Sequence, residues 1–275
     1  MGMSALLNET SALVATYREK NKVIEAAMAA AIKAAPELYK AFYVDAVIGD
    51  DATATGSLTK PFNTVAKAIA AIPYSGGGVI YLASGQEFVL GSEVVVSKKK
   101  INIQPAPGYL VKPILRNICL PAGTAGFLAG TSNMTTGFRV EGSTLLFRSI
   151  RVRTADYVEP AAAINNAYTG FIRRGDTTSG TIHADTCEID LGDTPFMRNS
   201  LNGQLSTVSL YSVKVARVGP VVTNTPLIDT EYTPIVFAAT AVTVPAGATW
   251  LNDMLRGVKL DTNGLPRNVI TNLIL

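Results

Sequence analysis

The chain has 275 residues, of which 48% are hydrophobic and 16% are charged, so it contains enough apolar material for one long domain with a sizeable core. Its net charge of +3 is small and its basic residues are scattered, which excludes an extended nucleic-acid-binding groove. The two cysteines, Cys119 and Cys187, exclude a disulfide-rich scaffold, and their apolar surroundings predict buried thiols.

Residues 11–35 are predicted to form one helix, because Ser11 is a suitable N-cap and no glycine or proline interrupts the run before Pro36. Apolar residues recur at steps of three and four along it, at Leu13, Tyr17, Ile24, Met28, Ala31 and Ala35. Lys20 interrupts this stripe. Two interpretations are open: the helix packs on its own domain, or residues 1–40 form a helical attachment or oligomerisation segment.

The sequence contains no recognisable export or membrane signal. Residues 1–20 lack a basic region followed by an apolar core, so no signal peptide is expected. The alanine-rich residues 26–35 are too short and too weakly apolar to cross a bilayer, so no transmembrane segment is expected. A protein of this kind that acts outside a cell is expected to leave by another route, such as lysis of the cell.

After Pro36 the pattern changes to a strand, a loop, a short helix and a second strand. Alternating apolar residues predict a strand over Ala41–Ile48, and a polar loop follows at Gly49–Lys60. A helix is predicted near residues 62–72, with an apolar face formed by Phe62, Val65, Ile69 and Ile72. Pro73 and three consecutive glycines end this helix, and Val79–Ala83 is predicted to be a buried strand.

From residue 84 to about residue 225 the sequence contains many short strand-like segments, and three of them align without gaps. They are Thr144–Val152, Thr181–Ile189 and Thr207–Val215. Each consists of two alternating halves separated by one extra residue, which predicts two strands joined at a corner. A looser echo occurs at Val94, Val96, Ile101 and Ile103. A recurring pair of strands joined at a corner is typical of one coil of a β-helix.

If these segments belong to neighbouring coils, equivalent residues stack in columns roughly 4.8 Å apart. The alignment gives three outward columns: Arg151, Glu188 and Lys214; Arg153 and Asp190; Arg148, Asp185 and Tyr211. The middle coil is acidic and its neighbours are basic. Opposite charges on adjacent strands stabilise a sheet, so the charge pattern supports this register.

The predicted fold class is mainly β: a right-handed parallel β-helix over residues 41–225, with an N-terminal α-helix and the short helix near residues 62–72 as a cap. A β-sandwich is the alternative, although a sandwich does not require corners in register. Residues 226–275 depart from the repeat and are predicted to form a C-terminal β cap or an interface segment. The apolar end, residues 269–275, is expected to be covered by the last coil or by a partner chain.

The stretch from Phe42 to Gly85 and its continuation carry a family resemblance. It reads FYVDAVIGDDATATGSLTKPFNTVAKAIAAIP and then GGGVIYLASGQEF. This text resembles the opening of pectate-lyase-like β-helix proteins, in which a strand and an Asp/Gly loop precede a short amphipathic helix that caps the first coil. The matching parts are Tyr43–Asp51, Pro61–Ile72 and Gly77–Leu82. Phage tailspikes, pectin-degrading enzymes and adhesins share this opening, so the resemblance implies the fold and leaves the activity open.

The most acidic cluster in the repeat region consists of Asp185, Glu188, Asp190 and Asp193. A glycosidase needs two carboxylates about 5–9 Å apart on either side of the scissile bond, and pairs within this cluster meet that spacing on an outward face. The alternative interpretation is a ladder in which each acid neutralises basic neighbours, and this is the interpretation we favour. No catalytic residue is therefore assigned.

Several other residues have both a functional and a plain interpretation. His183 is the only histidine and points outward, which favours a surface side chain over a metal site or a catalytic triad. Asp50 and Asp51 offer oxygens to a calcium ion but lack the spacing of a regular calcium loop, which favours capped turns. No metal and no cofactor are expected.

Three further features are compatible with glycan binding. The run Lys98–Lys100 is either a contact for anionic glycans or a solvated corner. Trp250 and Tyr232 are either stacking platforms for sugar rings or packing residues, and packing is favoured for a single tryptophan in a chain of this length.

The alanine-rich N-terminal helix is similar to attachment segments of bacteriophage tail fibres. This resemblance implies a non-catalytic virion appendage, a fibre, spike or adaptor, that assembles as a homotrimer and joins other tail or baseplate proteins through its N-terminal helix. A cell-surface glycan is a further expected partner, whereas nucleic acid and membrane are not. The alternatives are a tailspike depolymerase that cleaves capsule or lipopolysaccharide glycans, and a secreted bacterial β-helix adhesin or lyase. The absence of a signal peptide counts against the latter.

Overall fold

The computed structural model describes residues 2–34, 38–121, 132–158, 163–164, 169–174, 179–199, 205–220, 224–230 and 233–273. The chain divides into two compact units, Met1–Lys40 and Ala41–Leu275. The first unit is dominated by a helix and the second by short strands.

The first unit contains helix α1, Met3–Ala34. It begins eight residues before the predicted N-cap, so Ser11 lies inside the helix and the predicted start was wrong. The reason is that residues 3–10 contain no glycine or proline and include good helix formers such as alanine, leucine and glutamate. Every residue from 8 to 31 is exposed. Ala35 and Pro36, which the sequence analysis placed at the end of the helix, lie outside the described residues.

In the part of the second unit that the structure describes, there are strands, one short α-helix, α2, Val65–Ala71, and a single turn of π-helix at Trp250–Met254; the first strand, β1, begins two residues before this unit. The strands, in chain order, are β1 Tyr39–Val44, β2 Gly77–Leu82, β3 Glu87–Leu90, β4 Glu93–Ser97, β5 Lys100–Pro105, β6 Ile114–Asn117, β7 Cys119–Leu120, β8 Ser132–Thr135, β9 Gly137–Glu141, β10 Thr144–Arg148, β11 Arg151–Arg153, β12 Ala163–Ile164, β13 Ile172–Arg174, β14 Thr181–Asp185, β15 Glu188–Leu191, β16 Met197–Arg198, β17 Ser206–Tyr211, β18 Lys214–Arg217, β19 Ile228–Asp229, β20 Ile235–Thr240, β21 Leu255–Arg256 and β22 Val269–Thr271.

Among the described residues, most of these strands form three large sheets. Sheet 1 has the order β1-β2-β5-β10-β14-β17-β20-β22, sheet 2 the order β18-β15-β11-β6-β3, and sheet 3 the order β21-β19-β16-β13-β9-β4. From β2 onward their neighbouring strands are parallel, and the chain visits the three sheets in turn. Connections between parallel strands of one sheet are right-handed in nearly all proteins. The fold is therefore the predicted right-handed parallel β-helix, and the β-sandwich alternative is wrong.

The register predicted from the repeat is confirmed residue by residue. Thr144 pairs with Thr181, and Thr181 pairs with Thr207, in neighbouring strands of sheet 1. The extra residue between the two halves is the corner between sheets 1 and 2, where Ser149, Thr186 and Ser212 adopt left-handed φ angles of 53°, 57° and 53°. This conformation is uncommon outside glycine, so its repetition marks equivalent positions. It restores the inward direction of the second strand.

The looser echo belongs to a different corner. Val94 and Val96 lie in β4 of sheet 3, and Ile101 and Ile103 lie in β5 of sheet 1, so the corner between them, at Lys98, joins sheet 3 to sheet 1. Lys98 also has a left-handed φ of 50°. The corner between sheets 1 and 2 and the corner between sheets 3 and 1 therefore have the same apolar pattern. The sequence alone did not distinguish one from the other.

The interior of the solenoid consists of stacked apolar side chains. The six residues predicted to point inward on either side of the corner are all buried: Ile150, Val152, Cys187, Ile189, Val213 and Val215. Phe138, Phe147, Phe171 and Phe196 form an aromatic group with ring centroids 5.5–6.1 Å apart. Aromatic pairs at such distances add stability beyond the area that they bury.

The first coil is closed by β1 and α2, as the resemblance implied. Thr64 caps α2 by accepting a hydrogen bond from the backbone N–H of Lys67 at 3.2 Å. The predicted apolar face of the helix is confirmed, because Phe62, Val65, Ile69 and Ile72 are all buried.

The β-helix continues beyond residue 225, so the predicted boundary was too early. Strands β19 to β22 extend sheets 1 and 3 as far as Thr271. The side chain of Asn272 then bonds the backbone N–H and C=O of Ala239 in β20, both at 3.0 Å, just beyond the point where the pairing of β20 with β22 ends. Ile270 is exposed, whereas Val269 is buried. Ile274 and Leu275 lie outside the described residues.

Cys187 is expected to be chemically inert in the folded protein. Burial raises the pKa of its thiol to about 11, and the thiolate is the reactive form. In a Cys119→Ser variant at slightly alkaline pH, Cys187 should resist alkylation until denaturant is added. Mass spectrometry after iodoacetamide treatment measures this, and modification of the native protein as fast as of the denatured one would contradict the predicted burial.

Candidate functional site

The predicted acidic cluster lies on and beside the outward face of sheet 2. Arg151 pairs with Glu188 and Glu188 with Lys214, while Arg153 pairs with Asp190, as the alignment required. Glu188 and Asp190 both lie in β15, where side chains alternate between the core and the outward face. Ile189, which lies between them, is buried in the core, so both acids lie on the outward face.

Asp185 and Glu188 are each held by a cation. Asp185 Oδ2 contacts Arg148 Nε at 3.1 Å, and its Oδ1 accepts a hydrogen bond from Thr186 Oγ1 at 2.8 Å. Glu188 Oε1 contacts Lys112 Nζ at 3.0 Å. Lys112 precedes β6, which lies two coils away from β15 in sheet 2. The partner of Glu188 is therefore not its in-register neighbour.

Asp190 and Asp193 are buried. Asp190 Oδ2 contacts Arg151 Nε at 2.5 Å, and this hydrogen bond raises the pKa of the Arg151 guanidinium. Asp193 Oδ2 accepts a hydrogen bond from the backbone N–H of Tyr157 at 2.9 Å. A glycosidase carboxylate has to reach the substrate, either to protonate the leaving oxygen or to attack from the opposite side. The two buried acids have other contacts: Asp190 pairs with Arg151, and Asp193 binds the backbone at Tyr157.

A second charged column lies on the outward face of sheet 3 and was not predicted. Its register positions are Val95, Arg139, Arg173, Arg198, Asp229 and Arg256. Arg173 and Arg198 are only 4% and 2% exposed. The sequence does contain a signal: five coils each carry an apolar residue followed by a charged one, at Phe138-Arg139, Ile172-Arg173, Met197-Arg198, Ile228-Asp229 and Leu255-Arg256.

The arginines of this column are joined in two triads. Glu93 contacts Arg173 Nη2 at 2.5 Å and Arg139 Nε at 3.5 Å. Asp229 Oδ2 contacts Arg198 Nη2 at 3.0 Å and also contacts Arg256. In each triad one carboxylate lies between two guanidiniums. This is an arrangement for holding neighbouring coils together, because arginine offers several donors in a fixed plane.

A shallow groove of about 320 Å³ lies where β6 and β11 end. Arg116, Asn117, Arg153 and Asp156 contribute polar groups to it. Arg153 Nη2 contacts Asp156 Oδ2 at 2.9 Å, and Arg116 contacts Glu87. The groove thus offers hydrogen-bond donors to sugar hydroxyls, but each guanidinium already has a carboxylate beside it.

Asp50 and Asp51 act in turns and at the cap. The Asp50 side chain accepts hydrogen bonds from the Thr53 hydroxyl and from the backbone N–H of Ala52, which lower its pKa in that order. Asp51 Oδ1 accepts from the backbone N–H of Asn63 at 2.8 Å and of Thr64 at 3.1 Å, so it holds the start of α2. Among the described residues no three potential metal ligands lie together.

Two of the three lysines in the run contact the C-terminal end of α2 and the turn that follows it. Lys98 Nζ lies 5.5 Å from the ring centroid of Tyr74, and hydrogen bonding to Tyr74 raises its pKa. Lys99 Nζ donates to the carbonyl of Ile69 at 2.7 Å, near the C-terminal end of α2, where a cation is favourable. Burial lowers the pKa of Lys99. The single run thus serves two separate contacts.

The remaining predicted residues are placed as follows. His183 points outward from β14 between buried Ile182 and Ala184, and its partial burial lowers its pKa. Trp250 packs on Phe237 with ring centroids 5.3 Å apart, which agrees with the packing interpretation. Tyr232 lies outside the described residues.

Comparisons with known proteins add little beyond the fold. Searches against family models and against curated proteins found no match. Among solved structures the chain is similar to a protein titled "Rhamnogalacturonan lyase", with 11% sequence identity and a TM-score of 0.40. The similarity covers 86% of this chain and 66% of that protein, just under two thirds of its length. A likeness of this degree supports no inference about activity.

Among the described residues no helix combines the length and the apolar character needed to cross a bilayer. The longest described helix, α1, carries charged side chains along its length, including Arg18, Lys20 and Glu25.

Proposed function

We propose that this protein is a non-catalytic structural component of a virion appendage, a tail fibre, spike or adaptor that contributes to attachment at a host surface. The observation that carries the proposal is the ion pairing of the acidic cluster. Asp185, Glu188 and Asp190 each lie within 3.1 Å of a basic nitrogen. A solenoid whose outward charges pair with one another is suited to be a rigid spacer.

The competing function is a depolymerase or lyase that acts on surface glycans. A retaining or inverting hydrolase needs one carboxyl group that carries a proton and a second that reaches the sugar or a water molecule. Asp190 is buried against Arg151, and Glu188 is engaged by Lys112, so neither is arranged for these tasks. A secreted adhesin or lyase remains the third candidate.

The proposed partners are those of a virion appendage. We expect other tail or baseplate proteins to bind the N-terminal segment, residues 1–40, and the protein to reside in the virion. We expect a cell-surface glycan to bind at the groove lined by Arg116 and Arg153, because a groove of about 320 Å³ with polar side chains has the size and chemistry to hold a sugar. Neither nucleic acid nor membrane is a proposed partner.

The absence of catalysis is a testable prediction. Purified protein incubated with capsular polysaccharide, lipopolysaccharide or rhamnogalacturonan should release no oligosaccharide, because no carboxylate of the cluster is free to act on a sugar. Reducing-end assays detect hydrolysis, and the ultraviolet absorbance of unsaturated uronates detects lyase cleavage. The Glu188→Gln variant serves as the control and should behave like the wild type.

Release of oligosaccharide by the wild type, lost in Glu188→Gln, would replace the proposed function with a depolymerase. Release that persists in Glu188→Gln would place a catalytic site elsewhere on the chain. Either result would refute a purely structural role.

A further inference from the structure

The outward face of sheet 1 differs in chemistry from the outward faces of the other two sheets. Sheet 2 presents charged residues such as Arg151, Glu188 and Lys214, and sheet 3 presents its arginine column. Strands β10, β14 and β17 of sheet 1 are described in full, and their outward residues include one base and one acid, Arg148 and Asp185. These two contact each other at 3.1 Å, so this part of the face is close to neutral.

Most of the other outward side chains on these three strands carry a hydroxyl group. Thr144, Thr181 and Thr207 occupy one register position in neighbouring coils, so they form a half-buried column along the axis of the solenoid. Neighbouring strands lie roughly 4.8 Å apart, and the threonine hydroxyls recur at about that interval. A hydroxyl group both donates and accepts hydrogen bonds. The column can therefore bond a ligand that offers donors and acceptors at regular steps.

Aromatic side chains lie at both ends of a second outward row on sheet 1. Tyr211 is 57% exposed and pairs in register with Asp185 of the preceding coil. Toward the N-terminal end the row continues through Gln104 to Tyr81, which stacks on Tyr43 with ring centroids 5.0 Å apart. A tyrosine combines an apolar ring with a polar tip. Each end of the row can therefore pack against the apolar side of a sugar ring.

We propose that the outward face of sheet 1 binds a linear, neutral polysaccharide that runs along the axis of the solenoid. The repeating hydroxyls of such a chain meet the threonine column, while Tyr211 packs on one sugar ring. An acidic glycan would need basic side chains, and on these three strands the one base, Arg148, is paired with Asp185. A protein partner would need an apolar patch at the centre of its interface, and hydroxyl groups occupy that position here.

The inference rests on the proposed function, because it takes a surface glycan as the attachment partner. It adds a binding surface that is separate from the groove on sheet 2.

The first test measures binding of the full chain to an array of bacterial surface oligosaccharides, some neutral and some containing uronates. Neutral linear members should bind, and added salt should leave this binding unchanged, because no exposed ion pair holds the sugar. Tyr211→Ala should weaken binding by more than about tenfold, as removal of an aromatic anchor does. Tyr211→Phe keeps the ring and should retain most of the binding. The matched control is Tyr74→Ala, at a tyrosine that is 64% exposed and lies outside the strands of sheet 1.

The second test removes one hydroxyl of the column. Thr181→Val keeps the branched shape that favours a strand, so the thermal melt should match that of the wild type. Binding of the neutral oligosaccharides should weaken by about two- to tenfold, the effect of one lost hydrogen bond. Unchanged binding in Thr181→Val would mean that the threonine column does not contact the sugar and would overturn the proposal.

The remaining outcomes separate this inference from the proposed function. Binding that is lost in Arg153→Ala but kept in Tyr211→Ala would place the glycan in the groove on sheet 2 alone, which overturns the inference and leaves the proposed function intact. Binding confined to uronate-containing members, or no binding to the array, would also overturn the inference. A change in the solution mass of Tyr211→Ala, measured by light scattering, would show that the face joins copies of the chain instead. The glycan-release assay is judged independently of all these results.

Discussion

The Val213→Asp variant is expected to lose the cooperative unfolding transition of the β-helix. Val213 is 1% exposed and follows the corner residue Ser212, whose left-handed φ directs the next side chain into the core. Val213 belongs to the buried apolar core, together with Cys187, which directly precedes the Glu188–Lys214 pair of the adjacent coil, so the new carboxylate would lie among apolar side chains. An unpaired charge in such a place costs several kcal/mol, and whole domains are stable by only about 5–15 kcal/mol.

The matched control is Val89→Asp. Val89 lies on the outward face of β3, is partly exposed, and has Arg116 as its in-register neighbour. The same change of valine to aspartate therefore adds a solvated charge beside a cation. Thermal melting followed by circular dichroism should show a wild-type-like transition for Val89→Asp and none for Val213→Asp. A wild-type-like melt of Val213→Asp would mean that the inward register is wrong.

The register was predictable because β10, β14 and β17 each contain five or more residues and alternate cleanly. In such strands the period of two identifies the inward side, and one extra residue before the next strand identifies the corner. Strands of sheet 3 such as β16, β19 and β21 contain only two residues. Two residues cannot display a period, so the third sheet and its arginine column were missed. The boundary at residue 225 was placed too early for another reason: β20 has six alternating residues, but among the described residues no strand of sheet 2 follows it, so the two-strand repeat is incomplete there.

For the candidate site, the sequence predicted which way the acidic side chains point but not which basic side chains they contact. Alternation placed Glu188 and Asp190 outward, and the structure agrees. Their partners depend on side-chain reach across coils: Arg151 contacts Asp190 diagonally, and Lys112 comes from two coils away. The lysine run shows the same limit, because Lys98 lies over the Tyr74 ring whereas the adjacent Lys99 donates to the carbonyl of Ile69. The sequence therefore predicts which charged groups share a face, and the reach of the side chains across coils decides which of them are in contact.

Asp229→Asn is expected to destabilise the β-helix by about 3–5 kcal/mol, the range found when one member of a buried ion pair is removed. Asp229 lies between Arg198, which is buried, and Arg256. The substitution keeps the shape of the side chain but removes the negative charge beside a guanidinium that has little access to water. Guanidinium chloride unfolding, followed by tryptophan fluorescence from Trp250 and by circular dichroism, measures the loss as a lower midpoint.

Asp185→Asn provides the comparison, because the same change removes a carboxylate from an ion pair near the surface. The Arg148 side chain is 50% exposed, so water replaces the lost contact and the expected cost is below about 1 kcal/mol. Equal midpoints for the two variants would show that Arg198 is compensated by other groups and that the column on sheet 3 is not held by its triads. A midpoint much lower for Asp229→Asn than for Asp185→Asn would mean that buried ion pairs hold the outward face of sheet 3 together. Four arginines share this column, so the carboxylate of Asp229 is needed to separate and neutralise the positive charges of Arg198 and Arg256.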